Sequence, residues 1–287
     1  METDTSEPEQ TSEQTDTSFT RFPLVGIGAS AGGLPALQHF FTHMRPDSGM
    51  AFVIILHLSP THESLAASLL QHSTTMPVIQ VAKAVPVAPN HVYVIPPAQD
   101  LSMVDGTIQL EERAEARAGH APIDLFFRTL AETHGRLAAA VVLSGSGADG
   151  ASGIERIKER GGATFAQAPE EAEYSGMPRS AIATGMVDYI LPVAALPDAL
   201  VAYWRNGAHV QLPEAGAAPA GVVSSPDAAV ALLTIFALLR ARTNHDFSHY
   251  KRPTLLRRIG RRMQGHGVAD LAAYAEVLQH QPDEVQA

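Results

Sequence analysis

The sequence predicts an α/β fold in which a doubly wound, mostly parallel sheet is followed by a small all-α domain. Three observations lead to this fold class. Short apolar runs of strand length alternate with amphipathic helical patterns over residues 22–205. An Asp105-Gly106 turn between alternating strands adds a small antiparallel hairpin excursion. Beyond a Gly-, Ala- and Pro-rich stretch, the hydrophobic spacing from residue 225 onwards is helical throughout.

The composition is typical of a globular protein with a sizeable hydrophobic core. Of its 287 residues, 45% are hydrophobic and 17% are charged, which suits one large domain and a smaller piece. The absence of cysteine excludes a disulfide framework and a thiolate metal site. No apolar run reaches the ~18 residues of a membrane span, and the N-terminal stretch lacks the pattern of a signal peptide. We therefore expect a cytoplasmic protein without direct membrane insertion.

Charge and composition divide the chain into four parts. Residues 1–20 hold six acids and no Lys or Arg, which predicts a disordered acidic tail. The α/β domain is expected over 21–205, a linker over 206–224 and the helical domain over 225–287. Although the net charge is −10, residues 240–262 hold eight basic residues against one acid, Asp246. Such a cluster predicts either an acidic partner or a solvated helix face, and nothing in the chain indicates nucleic-acid binding.

The first strand and helix hold a glycine-dense turn that fits two motifs. The apolar run Phe22 to Ile27 predicts a strand, and Leu34 to Phe41 predicts the helix after it. The serine in Gly28-Ala29-Ser30-Ala31-Gly32 fits G-x-S-x-G, the turn that presents a nucleophile above a sheet. Gly26-Ile27-Gly28-Ala29-Ser30-Ala31 equally fits G-x-G-x-x-A, the turn that binds a dinucleotide pyrophosphate. Either motif alone is weak.

The second strand, predicted over Met50 to His57, favours the nucleophile. A dinucleotide site requires an acidic residue at about this position to bind the ribose. The chain has His57 there, and an imidazole suits a serine that needs a base. The sequence therefore points towards catalysis rather than cofactor binding.

The remaining elements follow in order. A helix is predicted over Pro60 to Gln71 with Leu65, Ala66, Leu69 and Leu70 facing inwards. The antiparallel excursion is expected within 78–110, including the strand-like run Val92 to Pro97, and residues 111–120 form a charged loop. Further strands are predicted at 137–143, 163–166 and 187–191, and further helices at 122–134, 154–160, around 180–184, from Ser225-Pro226-Asp227, at 254–264 and at 270–278.

Three polar residues follow the carboxyl ends of predicted parallel strands: Ser30, His57 and Asp149. In open α/β sheets the ligand crevice lies at these ends. A serine attacks when an imidazole takes its proton, and a carboxylate orients that imidazole, so the set is chemically complete. Its chain order, Ser, His, Asp, differs from that of the α/β-hydrolases. Each member also has a structural interpretation: a helix N-cap for Ser30, a buried core histidine for His57 and an ordinary turn for Asp149.

Other candidate residues carry weaker signals. His39 and His43 share a helix face at the spacing of zinc ligands, but Phe40 stands where the acid of H-E-x-x-H belongs. His62 and His72 are alternative bases that lie in or near a helix rather than at a strand end. The adjacent carboxylates of Glu170 and Glu171 are typical of a solvated loop. The sequence therefore predicts neither a metal nor a cofactor.

Residues 22–200 resemble the catalytic domain of the chemotaxis receptor methylesterase family, CheB. The resemblance rests on five motifs in order: Gly28-Ala29-Ser30-Ala31-Gly32-Gly33, Leu56-His57-Leu58-Ser59-Pro60, Val92-Tyr93-Val94-Ile95-Pro96-Pro97, Leu143-Ser144-Gly145-Ser146-Gly147-Ala148-Asp149-Gly150 and Ser175-Gly176-Met177-Pro178. It implies a Ser-His-Asp triad and a reaction that hydrolyses glutamate γ-methyl esters on receptor cytoplasmic helices, with a related glutamine deamidation.

The resemblance also implies where the oxyanion binds. The expected vicinity comprises Ala31, Gly32, Ser146 and Gly147. Two of these depart from the family pattern, which usually has Thr at the position of Ala31 and Met at that of Ser146. Backbone amides survive both changes, so activity is expected to persist. The usual receiver domain is not recognisable before residue 22, and control by phosphorylation in cis is not expected.

Residues 226–287 resemble the N-terminal helical domain of the receptor methyltransferase family, CheR. The matching run extends from Asp246 to Met263. The resemblance implies that its basic helix engages the acidic methylation region of receptors through Arg257, Arg258, Arg261 and Arg262. No S-adenosylmethionine-binding domain follows within the sequence. We therefore expect this chain to be a fragment of a methylesterase–methyltransferase fusion. Two alternatives remain beside an esterase: a non-catalytic docking module of a signalling protein, and a nucleotide-binding oxidoreductase.

Overall fold

The structure, a computed structural model, describes residues 22–56, 65–112, 121–207, 226–243, 252–281 and residue 284. Its strands are β1 Leu24–Ala29, β2 Ala51–Leu56, β3 Val78–Gln80, β4 Val85–Pro86, β5 Val92–Val94, β6 Gln99–Val104, β7 Thr107–Glu112, β8 Ala138–Val142, β9 Ala163–Gln167 and β10 Tyr189–Leu191. Its helices are α1 Gly33–His43, α2 Ala66–Gln71, α3 Pro122–His134, α4 Ala151–Arg160, α5 Gly176–Ala183, α6 Leu196–Gly207, α7 Pro226–Thr243, α8 Arg252–His266 and α9 Leu271–His280. Within these ranges, no helix combines the length and hydropathy needed to span a membrane.

The main sheet has seven parallel strands in the order β10-β9-β8-β1-β2-β5-β3. Strand β1 lies between β2 and β8, and all six of its residues are buried. Later strands extend the sheet from β2 on one side and from β8 on the other. The strand order therefore reverses between β1 and β8, which makes their carboxyl ends a topological switch point. The predicted doubly wound fold is confirmed.

Two glycines of β1 allow α3 to approach the sheet closely. A Cβ on Gly26 would lie 2.9 Å from a ring carbon of Phe127, and one on Gly28 would lie 2.4 Å from the Cγ2 atom of Ile123. These distances are shorter than real Cβ contacts, so both positions require glycine for packing. Both glycines lie within the strand and not in the turn that follows it. The G-x-G pattern that suggested a dinucleotide site is thus explained by the packing of a helix on a strand.

The antiparallel excursion is confirmed for β4, β7 and β6, which form a separate three-stranded sheet. Asp105 and Gly106 connect β6 to β7 with φ angles of 43° and 73°, the left-handed conformation that two-residue hairpin turns require. The placement of Val92–Val94 in this excursion is wrong. This strand lies between β2 and β3 in the parallel sheet, because its three residues are buried and suit an interior position.

The prediction for the second helix is partly wrong. Residues 57–64 lie outside the described part, and the described helix begins at Ala66. Ala66 and Leu70 are buried as expected, but Leu65 is 67% exposed and Leu69 is also exposed. A helix of six residues presents a single narrow face to its neighbours, so the four residues could not all face inwards.

The last three helices have a core of their own. Residues of α7, α8 and α9 form a hydrophobic cluster separate from that of the sheet, including Leu232, Ile235, Ile259, Met263 and Leu278. This arrangement confirms the predicted small all-α region. The predicted acidic tail and most of the linker lie outside the described residues, as do residues 113–120 of the predicted charged loop at 111–120. The loop prediction is wrong for Glu111 and Glu112, which continue strand β7 because they pair with β6.

Helix α8 joins this helical core to the α/β domain. The Gln264 amide donates a hydrogen bond of 2.6 Å to the carbonyl of Tyr203 on α6, and Asn206 donates one of 3.3 Å to the carbonyl of Gln264. Arg261 donates one of 2.8 Å to the carbonyl of Lys158 in the last turn of α4. A cation at this end of a helix is favoured by the helix dipole. The contact therefore combines specific hydrogen bonds with favourable charge.

Asp188 organises the charged centre of this region. Its carboxylate accepts hydrogen bonds from the backbone amide and the hydroxyl of Thr164, at 3.0 and 2.9 Å, and forms an ion pair with Lys158. Burial lowers the pKa of Lys158, and the attraction of Asp188 opposes that change. The guanidinium of Arg262 lies 3.9 Å from the same carboxylate. Asp188 thus compensates buried charge at the boundary of the two cores.

Replacing Asp188 by alanine is expected to lower the free energy of unfolding by about 3 kcal/mol, because Lys158 would remain buried without its counter-ion. Urea denaturation followed by circular dichroism measures the change. Asp198→Ala is the matched control, since Asp198 is exposed at the start of α6. Equal unfolding midpoints for the two variants would show that the buried pair contributes nothing to stability.

Candidate active site

Ser30 directly follows the central strand β1. Its backbone amide donates a 3.0 Å hydrogen bond to the carbonyl of Ser144 at the end of β8, and its carbonyl accepts one of 2.9 Å from Gly33. Helix α1 begins at Gly33, and its N-cap is Gly32, with φ 67° and no side-chain cap. Ser30 is therefore not the N-cap of α1, which removes one structural interpretation that the sequence left open.

The turn after Ser30 presents two backbone amides. Among the described residues, no hydrogen-bond acceptor is found for the amides of Ala31 and Gly32. They precede the first turn of α1, where helix geometry directs N–H groups outwards and the helix dipole favours negative charge. Such amides are suited to bind the oxygen of a tetrahedral intermediate formed at a neighbouring serine.

Ser144 connects three loops around this turn. Ser144 is almost completely buried, with 1% of its surface exposed. The hydroxyl donates a 2.9 Å hydrogen bond to the carbonyl of Ala31 and accepts one of 3.0 Å from the amide of Tyr174. The Ser144 amide donates to the side-chain oxygen of Gln167 at 2.8 Å. The sequence did not single out Ser144, because a serine beside a glycine-rich loop gives no signal that its hydroxyl is buried.

The loop after β8 contacts Ser30 through Gly145. A Cβ on Gly145 would lie 3.0 Å from the Cβ of Ser30 and 2.1 Å from the Sδ of Met177. Ser146 and Gly147, which the sequence placed near the oxyanion, are exposed further along this loop. Ser180 fixes the loop there by donating a 3.1 Å hydrogen bond to the carbonyl of Gly147. Gly145 is thus the residue of this loop that packs against the candidate nucleophile.

Asp149 follows β8 and binds the beginning of α3. Its two carboxylate oxygens accept hydrogen bonds from the backbone amides of Ile123, at 3.1 Å, and Asp124, at 3.0 Å. Burial raises the pKa of Asp149, these amides oppose the rise, and the nearby charge of Asp124 adds to it. Ser30 and Asp149 therefore follow adjacent parallel strands, on the two sides of the switch point.

The candidate base, His57, lies outside the described residues, as does His62. The last described residue before it, Leu56, ends β2 and pairs in register with Ala29, the residue before Ser30. The other alternative base, His72, is exposed and has its Nδ1 atom 2.7 Å from the carbonyl of Ser68, in its own helix. Its involvement at the switch point finds no support in these contacts.

His39 and His43, the pair weighed and set aside as zinc ligands, have local contacts. The Nδ1 atom of His43 lies 2.9 Å from the carbonyl of His39, and both residues are exposed. Within the part of the chain that the structure describes, no three His, Asp or Glu side chains converge on a common point. Glu171 accepts a 2.7 Å hydrogen bond from the amide of Val193 and thereby ties its loop to the start of α6.

The four arginines predicted to bind a partner differ in their surroundings. Arg258 is exposed, and the side chain of Arg257 lies outside the described part. Arg261 is 8% exposed and contacts α4, as described above. Arg262 donates a 2.7 Å hydrogen bond to Glu284. Burial raises the pKa of this glutamate, but its hydrogen bonds with Arg262 and His266 outweigh burial and lower the pKa to about 2. Arg261 and Arg262 thus bind groups of this chain, contrary to the expectation of a free basic face.

A cavity of about 880 Å³ lies away from Ser30. Its lining includes Phe22, Ala88, Gly106, Glu132 and Leu137. Phe22 precedes β1 and Leu137 precedes β8, so the cavity lies at the amino edge of the parallel sheet. Because ligand crevices of such sheets lie at the opposite, carboxyl edge, this cavity is distinct from the candidate site.

The sheet and its strand-end serine define a class: doubly wound α/β proteins with a serine turn at the switch point. Comparison with known proteins identifies the family within that class. The family model of the CheB methylesterase matches residues 25–200, and the model of the CheR methyltransferase all-alpha domain matches residues 231–287. The chain therefore belongs to the CheB methylesterase family.

Relatives and a solved structure agree with this assignment. The chain is 36% identical over 233 residues to an uncharacterized 104.1 kDa protein of Rhodobacter capsulatus, covering 76% of this chain and 24% of that protein. It is 35% identical over 188 residues to a protein-glutamate methylesterase/protein-glutamine glutaminase of a Shewanella species, covering 63% of this chain and 52% of that protein. The crystal structure of the Thermotoga maritima CheB methylesterase catalytic domain matches with a TM-score of 0.58 and 27% identity, over 63% of this chain and 97% of that one.

Replacing Gly32 by alanine is expected to destabilise the chain more than the same change at Gly49. Both glycines have positive φ, 67° and 73°, which costs an alanine about 1–2 kcal/mol. A Cβ on Gly32 would also lie 2.8 Å from the hydroxyl of Ser144 and from a carboxylate oxygen of Glu173, whereas one on Gly49 would have no neighbour within 4 Å.

The difference between the two unfolding free energies isolates the crowding at the turn. We expect Gly32→Ala to lose about 1 kcal/mol or more beyond Gly49→Ala, as is usual for overpacking. Denaturant titration of both variants beside the wild type measures it. Losses of the same size would mean that the turn accommodates a side chain freely.

Proposed function

We propose that this chain is a serine hydrolase that removes methyl groups from glutamate γ-methyl esters, and that it also deamidates glutamines. The observation that carries the proposal is the placement of Ser30 and Asp149. They follow adjacent strands at the switch point, and two amides without an acceptor among the described residues come directly after Ser30. Membership of the CheB methylesterase family supports this reaction, as do relatives named protein-glutamate methylesterase/protein-glutamine glutaminase.

The proposed reaction begins with attack of the Ser30 hydroxyl oxygen on the ester carbonyl. His57 accepts the hydroxyl proton as the new C–O bond forms, and the amides of Ala31 and Gly32 bind the oxyanion of the tetrahedral intermediate. Collapse of this intermediate breaks the bond to the methoxy group, which leaves as methanol with the proton from His57. The γ-carboxyl group of the substrate glutamate is then esterified to Ser30.

The second half of the reaction releases the product. His57 takes a proton from a water molecule, whose oxygen attacks the acyl group and forms a second tetrahedral intermediate. Its collapse returns the proton to the Ser30 oxygen and frees glutamate as the carboxylic acid. With a glutamine substrate the same steps release ammonia in place of methanol. No metal or cofactor takes part in either half.

Asp149 has the role of orienting His57 in this scheme. A carboxylate that binds one imidazole nitrogen leaves the other free to accept the serine proton, and it stabilises the imidazolium that forms. The α3 amides hold the Asp149 carboxylate in place while each of its oxygens keeps a lone pair. This arrangement suits a half-buried anion that accepts one further hydrogen bond.

The proposed substrate is the methylated cytoplasmic region of a chemoreceptor, in the cytoplasm. Because the chain spans about half the length of the curated methylesterases that it matches, and a quarter of the Rhodobacter protein, substrate and partner are part of the proposal. Arg258, which is exposed on α8, is available for an acidic segment of such a partner. Among the three predicted arginines whose side chains the structure describes, Arg258 is the exposed one.

The test measures the release of methanol from the cytoplasmic fragment of a chemoreceptor of the same organism, labelled on its methyl esters. Ser30→Ala is expected to reduce release at least about a thousandfold, since it removes the nucleophile. Ser152→Ala, at an exposed serine on α4, is the matched control and should release methanol as the wild type does.

A second measurement is independent of the receptor. A fluorophosphonate should attach to Ser30 in the wild type and in Ser152→Ala, as located by mass spectrometry of the peptide. Labelling without methanol release would retain a serine hydrolase with another substrate. Neither labelling nor release would favour the docking module, with Ala31 and Ser146 as the first positions to restore to the usual family residues.

A further inference from the structure

Two aspartate carboxylates accept hydrogen bonds from backbone amides and thereby connect the first turns of helices α3 and α4. Asp149, just before α4, accepts hydrogen bonds from the amides of Ile123 and Asp124 in the first turn of α3. Asp124 in turn accepts one of 2.6 Å from the amide of Gly153 in the first turn of α4. Each helix therefore has its first turn capped by a carboxylate from the other helix.

Neither helix has a capping side chain of its own. The N-cap residue of α3 is Ala121 and that of α4 is Gly150, and neither gives a side-chain hydrogen bond. Amides in the first turn of a helix need an acceptor, so each helix depends on the aspartate of the other. The position of the Asp149 carboxylate is consequently fixed by α3, and the position of α4 relative to α3 is fixed by Asp124.

We propose that Asp124 is a positioning residue for Asp149 in ester hydrolysis. This inference rests on the proposed function, in which Asp149 orients His57. Asp124 anchors Gly153, four residues after Asp149, and its own backbone amide donates one of the two bonds that hold the Asp149 carboxylate. Losing the Asp124 side chain frees the start of α4 and, with it, the loop that carries Asp149.

The charge of Asp124 has a second effect on Asp149. Burial raises the pKa of both carboxylates, and the negative charge of Asp124 adds to the rise at Asp149. Arg128, one turn further along α3, lowers that of Asp124, and the amide of Gly150 before α4 lowers that of both. Removing the negative charge of Asp124 should therefore lower the pKa of Asp149, and it should also lower that of an imidazolium bound to it.

The test compares Asp124→Ala with Asp124→Asn in the full chain. Asparagine keeps an oxygen that accepts the Gly153 amide but has no charge, whereas alanine has neither. With p-nitrophenyl acetate as the probe ester, we expect Asp124→Ala to lower kcat by about 10- to 100-fold with little change in KM, as for a misplaced catalytic group. Asp124→Asn should recover most of kcat and move the acid limb of the pH–rate profile to lower pH.

A second measurement, the NMR titration of Asp149, does not depend on ester hydrolysis. The carboxyl carbon of Asp149 is titrated by ¹³C NMR, with its signal assigned from its absence in Asp149→Asn. The pKa of Asp149 should be lower in Asp124→Asn than in the wild type. If the wild type hydrolyses no ester, the proposed function fails, and this titration alone decides whether Asp124 acts on Asp149.

Three results would overturn the inference. One is wild-type turnover in Asp124→Ala. Another is an Asp124→Asn variant that is as slow as Asp124→Ala, since the retained acceptor should rescue a positioning role. The third is an unchanged titration of Asp149 in Asp124→Asn, which would separate the two carboxylates. A general loss of stability alone would leave the shift in the titration of Asp149 unexplained.

Discussion

The close packing of α3 on β1 is the contact on which the candidate site depends. Glycines at positions 26 and 28 allow Ile123 and Phe127 to lie against the strand. This contact fixes the beginning of α3 at the carboxyl edge of the sheet, where its amides hold the Asp149 carboxylate. A side chain at either glycine would move the helix away and with it the group that Asp149 binds. The same strand ends at Ala29, directly before Ser30, so one packing contact positions both Ser30 and Asp149.

The fold was predictable to a large extent because its signals are local. Buried parallel strands read as short apolar runs, and the Asp105-Gly106 turn identified its hairpin. The strand Val92–Val94 was assigned to the wrong sheet, because alternation along three residues does not reveal which strands lie beside it. Leu65 and Leu69 were placed inwards for a similar reason, since helical spacing shows a face but not what covers it.

The candidate site was predictable only in its chemically distinctive members. Ser30, His57 and Asp149 were selected because each follows a predicted strand and carries a polar group suited to catalysis, and His57 lies outside the described residues. Ser144 and Asp124 were missed, because their importance lies in hydrogen bonds to backbone groups far along the chain. A sequence does not display such contacts. The basic helix shows the reverse case, since Arg261 and Arg262 suggested a surface but bind groups within the chain.

Helix α4 connects the two regions of the molecule in a way that bears on how the α/β domain is isolated. It begins after Asp149 and ends where Arg261 of α8 binds the carbonyl of Lys158. Ten residues of α-helix extend about 15 Å, so one rigid element separates the candidate site from the helical region. A recombinant fragment that stops after α6 would lack Arg261, whose guanidinium binds the carbonyl of Lys158 in the last turn of α4. An excised α/β domain therefore differs from the chain described here at the far end of that helix.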